Sequence, residues 1–153
     1  MIPTKKRGGM AQQESNVAAW NRPLGEPGDL TDIIVVVLSL AHEHGFTKVS
    51  RPDFYEIFSQ LRSKYPTVLP EMVFTRAGEY VYSKTLGNAL ERALRSGLDT
   101  MNPRFFYFGV LKKEDAERNL ALIKANTSNE FIDGLRPLAE DFAKLTQLTP
   151  VPA

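Results

Sequence analysis

Cysteine is missing from all 153 residues, which excludes disulfides, a thiol nucleophile and thiolate metal sites together. A reducing compartment is the natural home for such a chain, and the cytoplasm is the expected location. An excess of one charge is missing too: 19 Lys or Arg face 18 Asp or Glu, a formal net charge of +1. No whole-molecule field therefore calls for nucleic acid or an anionic membrane, and electrostatic recognition has to be local. Long hydrophobic runs are also lacking. The apolar run from Ile33 to Leu38 falls far short of the roughly 20 residues that span a bilayer. Residues 1–20 carry Lys5, Lys6 and Arg7 but no apolar core of a secretory signal, so neither a membrane nor export by that route is expected.

Patterns that carry chemistry are equally scarce. There is no glycine-rich phosphate loop, no nucleophile elbow and no cysteine–histidine pair. His42 and His44 in "AHEHG" are the two histidines of the chain. Two positions apart on a helix, they point about 200° from each other, so a shared metal ion would need the helix to have ended already, and no third ligand motif accompanies them. A role at a helix end, interacting with the dipole, suits them better. The acidic "EDAE" of residues 114–117 fits the electrostatics of a helix start. The expectation is a protein that is not an enzyme, with no cofactor, no metal and no small-molecule substrate.

What the chain does contain is 42% hydrophobic and 10% aromatic residues, enough to bury one core at this length. Residues 1–28, rich in Gly, Pro and small polar groups, read as a tail excluded from that core. Its Trp20, the sole tryptophan, reads as an anchor of the tail on the body. "LTDIIVVVLSLAHEHG" reads as a helix capped by Asp29 or Thr31 and stopped by a left-handed Gly45. Apolar all round its middle, it belongs at the centre of the fold.

A short β piece and a second helix follow. Ser50 caps that helix, Pro52 sits in its first turn, and Phe54, Ile57, Phe58, Leu61 and Tyr65 recur at helical spacing up to Pro66. "TVLPEMVFTRAGE" reads as an extended connection ending in a turn. Ser83 then caps a third helix with an apolar stripe of Leu86, Ala89, Leu90, Ala93 and Leu94, closed by Gly97. "DTMNPRFFYFGVL" predicts a short strand, a turn at Asn102 and Pro103, and an aromatic strand over 104–111. Phe105, Tyr107 and Gly109 line one side of it, and Phe106, Phe108 and Val110 the other. With both sides apolar it needs cover from the tail or the carboxyl-terminal helices. A helix carrying Ala116, Leu120 and Ile123 comes next. The last segment repeats Phe131, Leu135, Leu138, Phe142 and Leu145, broken at Pro137 into two helices.

The order helix, β piece, helix, extended turn, helix, two-strand hairpin resembles a winged helix-turn-helix domain. "YSKTLGNALERALRSGL" followed by "NPRFFYF" resembles its third helix and wing, over roughly residues 30–111. Tyr82, Ser83, Gly97 and Leu98 also stand where the helical winged domains of some prokaryotic antitoxin and regulatory proteins carry similar residues. The fold class expected is mainly α with a small β-hairpin: a tail over 1–28, a winged-helix-like core over 29–111 and additional C-terminal helices over 112–148.

The resemblance implies two functions. The first is a non-enzymatic protein-interaction or regulatory subunit contacting another protein chain or a second copy of itself. The alternative is a transcriptional regulator that binds double-stranded DNA through the helix over 83–96 and the hairpin after it. The candidate nucleic-acid-binding residues are Lys84, Asn88, Arg92, Arg95, Arg104, Lys112 and Lys113. Residues 46–113 hold eleven Lys or Arg against six Asp or Glu, a local +5, while residues 114–153 hold four against seven, a local −3. Glu91 opposes phosphate in the middle of that helix face. Solvated cations are the simplest reading of the same residues, and the weak charge favours the interaction module.

Overall fold

A computed structural model describes residues 27–101 and 107–148. Trp20, the tail up to residue 26, the turn at Asn102 and Pro103, and the residues Arg104, Phe105 and Phe106 lie outside the described residues. The chain is mainly helical with a small antiparallel sheet and carboxyl-terminal helices.

The first helix, α1 (Leu30–Ala41), lies at the centre, and all twelve of its residues are buried. Asp29 caps it, its carboxylate accepting from the N–H groups of Thr31 and Asp32. A 3-10 turn over His42–His44 leads to Gly45, whose φ of 91° is the left-handed stop that the sequence implied. The His42 ring donates from Nδ1 to the carbonyl of Val110 at 2.9 Å, tying the helix end to the sheet.

β1 (Lys48–Ser50) passes directly into α2 (Arg51–Lys64), where Ser50 Oγ accepts from the N–H of Asp53. Phe54, Ile57, Phe58 and Leu61 face inward. The Phe54 ring lies 4.6 Å from Phe58, 5.1 Å from Phe108 and 6.4 Å from Phe142, centroid to centroid. The edge-on contacts with Phe108 and Phe142 bring the sheet, α2 and the last helix to one aromatic centre.

The connection after α2 is not simply extended. It folds into a hairpin of β2 (Thr75–Ala77) and β3 (Tyr80–Tyr82), with Ala77 opposite Tyr80 and Gly78 at φ 63° in the turn. Gly78 supplies the positive φ that a two-residue hairpin turn demands. α3 (Lys84–Leu94) follows at once, with Ser83 Oγ accepting from the N–H of Leu86. Leu86, Ala89, Leu90 and Ala93 are buried and Leu94 is half-buried.

Gly97 does not end this helix by adopting the left-handed conformation; among the described glycines only Gly28, Gly45 and Gly78 have positive φ. Its value is space. A Cβ there would stand 2.9 Å from Val35 Cγ1 and 3.0 Å from Asn119 Oδ1.

β4 (Asp99–Met101) and β5 (Tyr107–Gly109) pair antiparallel, and β5 pairs antiparallel with β1, giving the order β1–β5–β4. Among the described residues the aromatic strand covers Tyr107–Gly109 and ends before Val110 and Leu111, which the predicted strand includes. Phe108 and Val110 are fully buried. Phe54 of α2 packs edge-on against Phe108, so the second helix takes part in covering this side. At Gly109 the Thr47 carbonyl comes so close that an added Cβ would overlap it at 2.0 Å.

α4 (Lys113–Asn126), α5 (Asn129–Gly134) and α6 (Arg136–Leu148) complete the chain, α4 and α6 packing on α1. The break between α5 and α6 falls at Leu135, with Pro137 in the first turn of α6, where its missing donor is harmless.

Candidate interaction surface

The third helix begins directly after β3, and the Tyr82 ring of β3 lies over Gly87 of α3. Lys84, Asn88 and Arg95 fall within about 40° of one another around the helix axis, and all three are exposed. Arg92 does not join them. Its side chain is half-buried and donates from Nε to Thr31 Oγ1 at 3.2 Å, which turns it toward the start of α1.

Lys112 is the exposed residue preceding α4, and Lys113 stands 3.9 Å from Glu117 of the same helix. Both lie beyond β5 and belong to the fourth helix rather than the third. Arg104 lies outside the described residues.

Glu91, which the sequence sets against a phosphate, is engaged: its carboxylate lies 3.0 Å from the Arg51 guanidinium of α2. This pair bridges the two helices and takes one negative charge out of the exposed stripe. Beside it the Tyr55 and Tyr82 rings pack with centroids 5.3 Å apart. Both hydroxyls lie over Gly87, where an added Cβ would meet Tyr55 Oη at 2.9 Å and Tyr82 Oη at 3.3 Å. Burial, then the neighbouring Tyr82 and Glu91, push the Tyr55 hydroxyl above its ordinary pKa against the pull of Arg51.

Sequence reasoning missed the hairpin as the main feature of this face. Val73, Tyr80 and Tyr82 are 81%, 66% and 50% exposed, the first three of the four large apolar side chains left in solvent among the described residues. The hairpin register places Thr75 opposite Tyr82 and Ala77 opposite Tyr80. With side chains alternating along each strand, Thr75, Ala77, Tyr80 and Tyr82 share one side, and Val73 is exposed in the segment just before β2. Val81 on the other side is buried. The available signal was "EYVY" directly after Ala-Gly, aromatic and β-branched residues beside a turn glycine.

A second feature is a cleft of about 440 Å³ at the amino-terminal end of α1, lined by Gly28, Leu30, Val68, Pro70, Ala89 and Arg92 among others. A third is the contact of Tyr65 with Asp141, 2.5 Å apart, which Lys64 Nζ joins at 2.7 Å from the same carboxylate oxygen. Burial first, then the hydrogen bond to Asp141, push the Tyr65 hydroxyl up to about 12. The bonds from Lys64 and then Tyr65 hold Asp141 below the usual carboxylate range.

Among the described residues no group of three His, Asp or Glu can hold a metal ion, and no helix is long and apolar enough to cross a membrane. Comparison with protein-family models, with curated proteins and with solved structures gives no match to this chain.

Proposed function

We propose that this chain is a non-enzymatic binding module of winged-helix type. It contacts another protein chain through the face built by the β2–β3 hairpin and the exposed side of α3. The observation that carries the reading is the side of the hairpin that holds Tyr80 and Tyr82, left in solvent with Val73 of the segment before it, while Val81 on the other side is buried. Large apolar side chains gathered on one exposed face mark contact sites more often than scattered ones do. Tyrosine in particular supplies rigid contact area at low entropic cost. The element order and the sheet order β1–β5–β4 support the winged-helix part of the reading. The hairpin occupies the place between the second and third helices where an extended turn was expected.

The experiment is sedimentation of the full chain over a wide concentration range, wild type beside Val73→Ser/Tyr80→Ser. Self-association that the double variant removes supports the reading with a second copy as partner. A wild-type chain that stays monomeric throughout and is indistinguishable from the variant counts against it.

A second reading, double-stranded DNA as the partner, is favoured by one observation: Lys84, Asn88 and Arg95 line up in the open while Arg51 neutralises Glu91. It calls for duplex binding whose affinity falls steeply with salt, and for a shallower slope in Lys84→Ala and Arg95→Ala.

A further inference from the structure

Thr85, Ala89 and Arg92 line the cleft of about 440 Å³ at the start of α1. Spaced by four and then three positions, they share one side of α3. The first residues of α1 and the segment after α2 form the other walls, and Leu30, Ile33, Val68 and Ala89 make these largely apolar. The volume falls in the range of clefts that enclose small molecules. No sequence motif announces such a site, because its walls come from three separate parts of the chain. Arg92 stands half-buried at the edge, its Nε donating to the buried Thr31 Oγ1 at 3.2 Å. Among the described residues it makes no ion pair. Its sequence neighbour Glu91 is already paired with Arg51, and Asp29 across the cleft accepts from the N–H groups of Thr31 and Asp32.

We propose that the cleft binds a small monocarboxylate with an apolar body, its carboxylate on Arg92 and its hydrocarbon against Leu30, Ile33, Val68 and Ala89. Charge selects the head. A guanidinium partly withdrawn from water with no carboxylate beside it is incompletely compensated, and the bond made by Nε leaves the two terminal amino groups as a fork that matches a carboxylate. Asp29 lines the same cleft, and its charge opposes a second negative one, which disfavours phosphate esters and dicarboxylates. The walls select the body, because each methylene moved from water onto them favours binding. The exposed side chains of the hairpin take no part in the lining, so this site and the partner proposed above stand or fall separately.

The test titrates hexanoate into the full chain beside hexanamide, which has the same shape and no charge, and follows the backbone amide signals of Val68, Ala89 and Arg92. Hexanoate should shift these signals saturably and bind about tenfold more tightly than hexanamide, the difference that a charge-assisted contact supplies. Arg92→Gln should erase that difference, weakening hexanoate about tenfold and leaving hexanamide unchanged. Thr85 is an exposed residue of the wall, so Thr85→Phe should keep the fold while it fills the cleft, and binding of both compounds should be lost. The absence of saturable shifts in the wild type, equal affinities for the acid and the amide, or hexanoate binding that survives both substitutions would each overturn the proposal.

Discussion

Asn119 of α4 donates its side-chain amide to the Gly97 carbonyl at 2.7 Å and to Ser39 Oγ of α1 at 3.1 Å. One buried amide thus joins the end of α3 to the central helix and to the first of the carboxyl-terminal helices. Asn119→Ala leaves a part-buried carbonyl and a buried hydroxyl without this partner, at a cost of about 1–3 kcal/mol. Chemical denaturation should show a lower midpoint with an unchanged slope.

Gly97→Ala and Gly109→Ala should both destabilise, the second more severely than the first. At Gly97 the new methyl meets a buried Val35 methyl at 2.9 Å, an overpacking that costs about 1–3 kcal/mol. At Gly109 it meets the Thr47 carbonyl, which accepts from the N–H of Val110 at 3.0 Å. Backbone cannot step aside as a rotamer can, so β1 and β5 must separate there. The expected loss is above about 3 kcal/mol, read as a lower melting temperature or failure to fold. Equal effects at the two sites would contradict the packing described.

The Asp141 cluster predicts opposite responses to acid and base. Asp141 is held below its ordinary carboxylate value, so its contribution is present above that value and is lost as pH falls through the depressed one. Tyr65 is raised from 10.0 to about 12, so its contribution is complete below pH 10 and is lost as pH climbs from there toward 12. Because Lys64 is well exposed, the effect should be about 1 kcal/mol or less at either end. Urea midpoints against pH for wild type and Asp141→Asn check this, and the acid limb should flatten in the variant.

On the proposed face, Tyr80→Ser and Val73→Ser should leave stability within about 0.5 kcal/mol, since both side chains are largely in solvent. They should alter association alone. Gly87→Ala should act differently, displacing the Tyr82 ring from Tyr55. Its signature is a changed near-ultraviolet tyrosine signal together with weaker association. A large stability loss on Tyr80→Ser would mean that the hairpin's outer side is structural.

Ser83→Ala tests the junction between the hairpin and α3. The hydroxyl is buried and accepts from the N–H of Leu86, so its loss should cost about 1 kcal/mol. Since the same residue joins β3 to the helix, amide exchange should accelerate at Tyr82 as well as at Leu86.

The helices were legible in the order of the residues because their signals are local. A capping serine, a proline in the first turn, a stop at Gly45 and side chains every three or four positions all act within one or two turns. This sufficed for α1, α2, α3 and the break near Pro137. The β2–β3 hairpin escaped because its strands are three residues long and its apolar side faces water. The usual contrast between a buried and a polar side was therefore absent. Gly97 was misread for a related reason: a glycine after a helix suggests a left-handed turn, whereas the neighbours that require it, Val35 and Asn119, are distant in sequence.

By itself the sequence determined which segments coil, where most of them start, and that the chain supplies no thiol. Only the tertiary structure decided which cations share a face. It sent Arg92 to Thr31 and Glu91 to Arg51 while leaving Lys84, Asn88 and Arg95 in the open. Helix signals depend on neighbours along the chain. A surface is made by residues that only the packing of separate elements brings together.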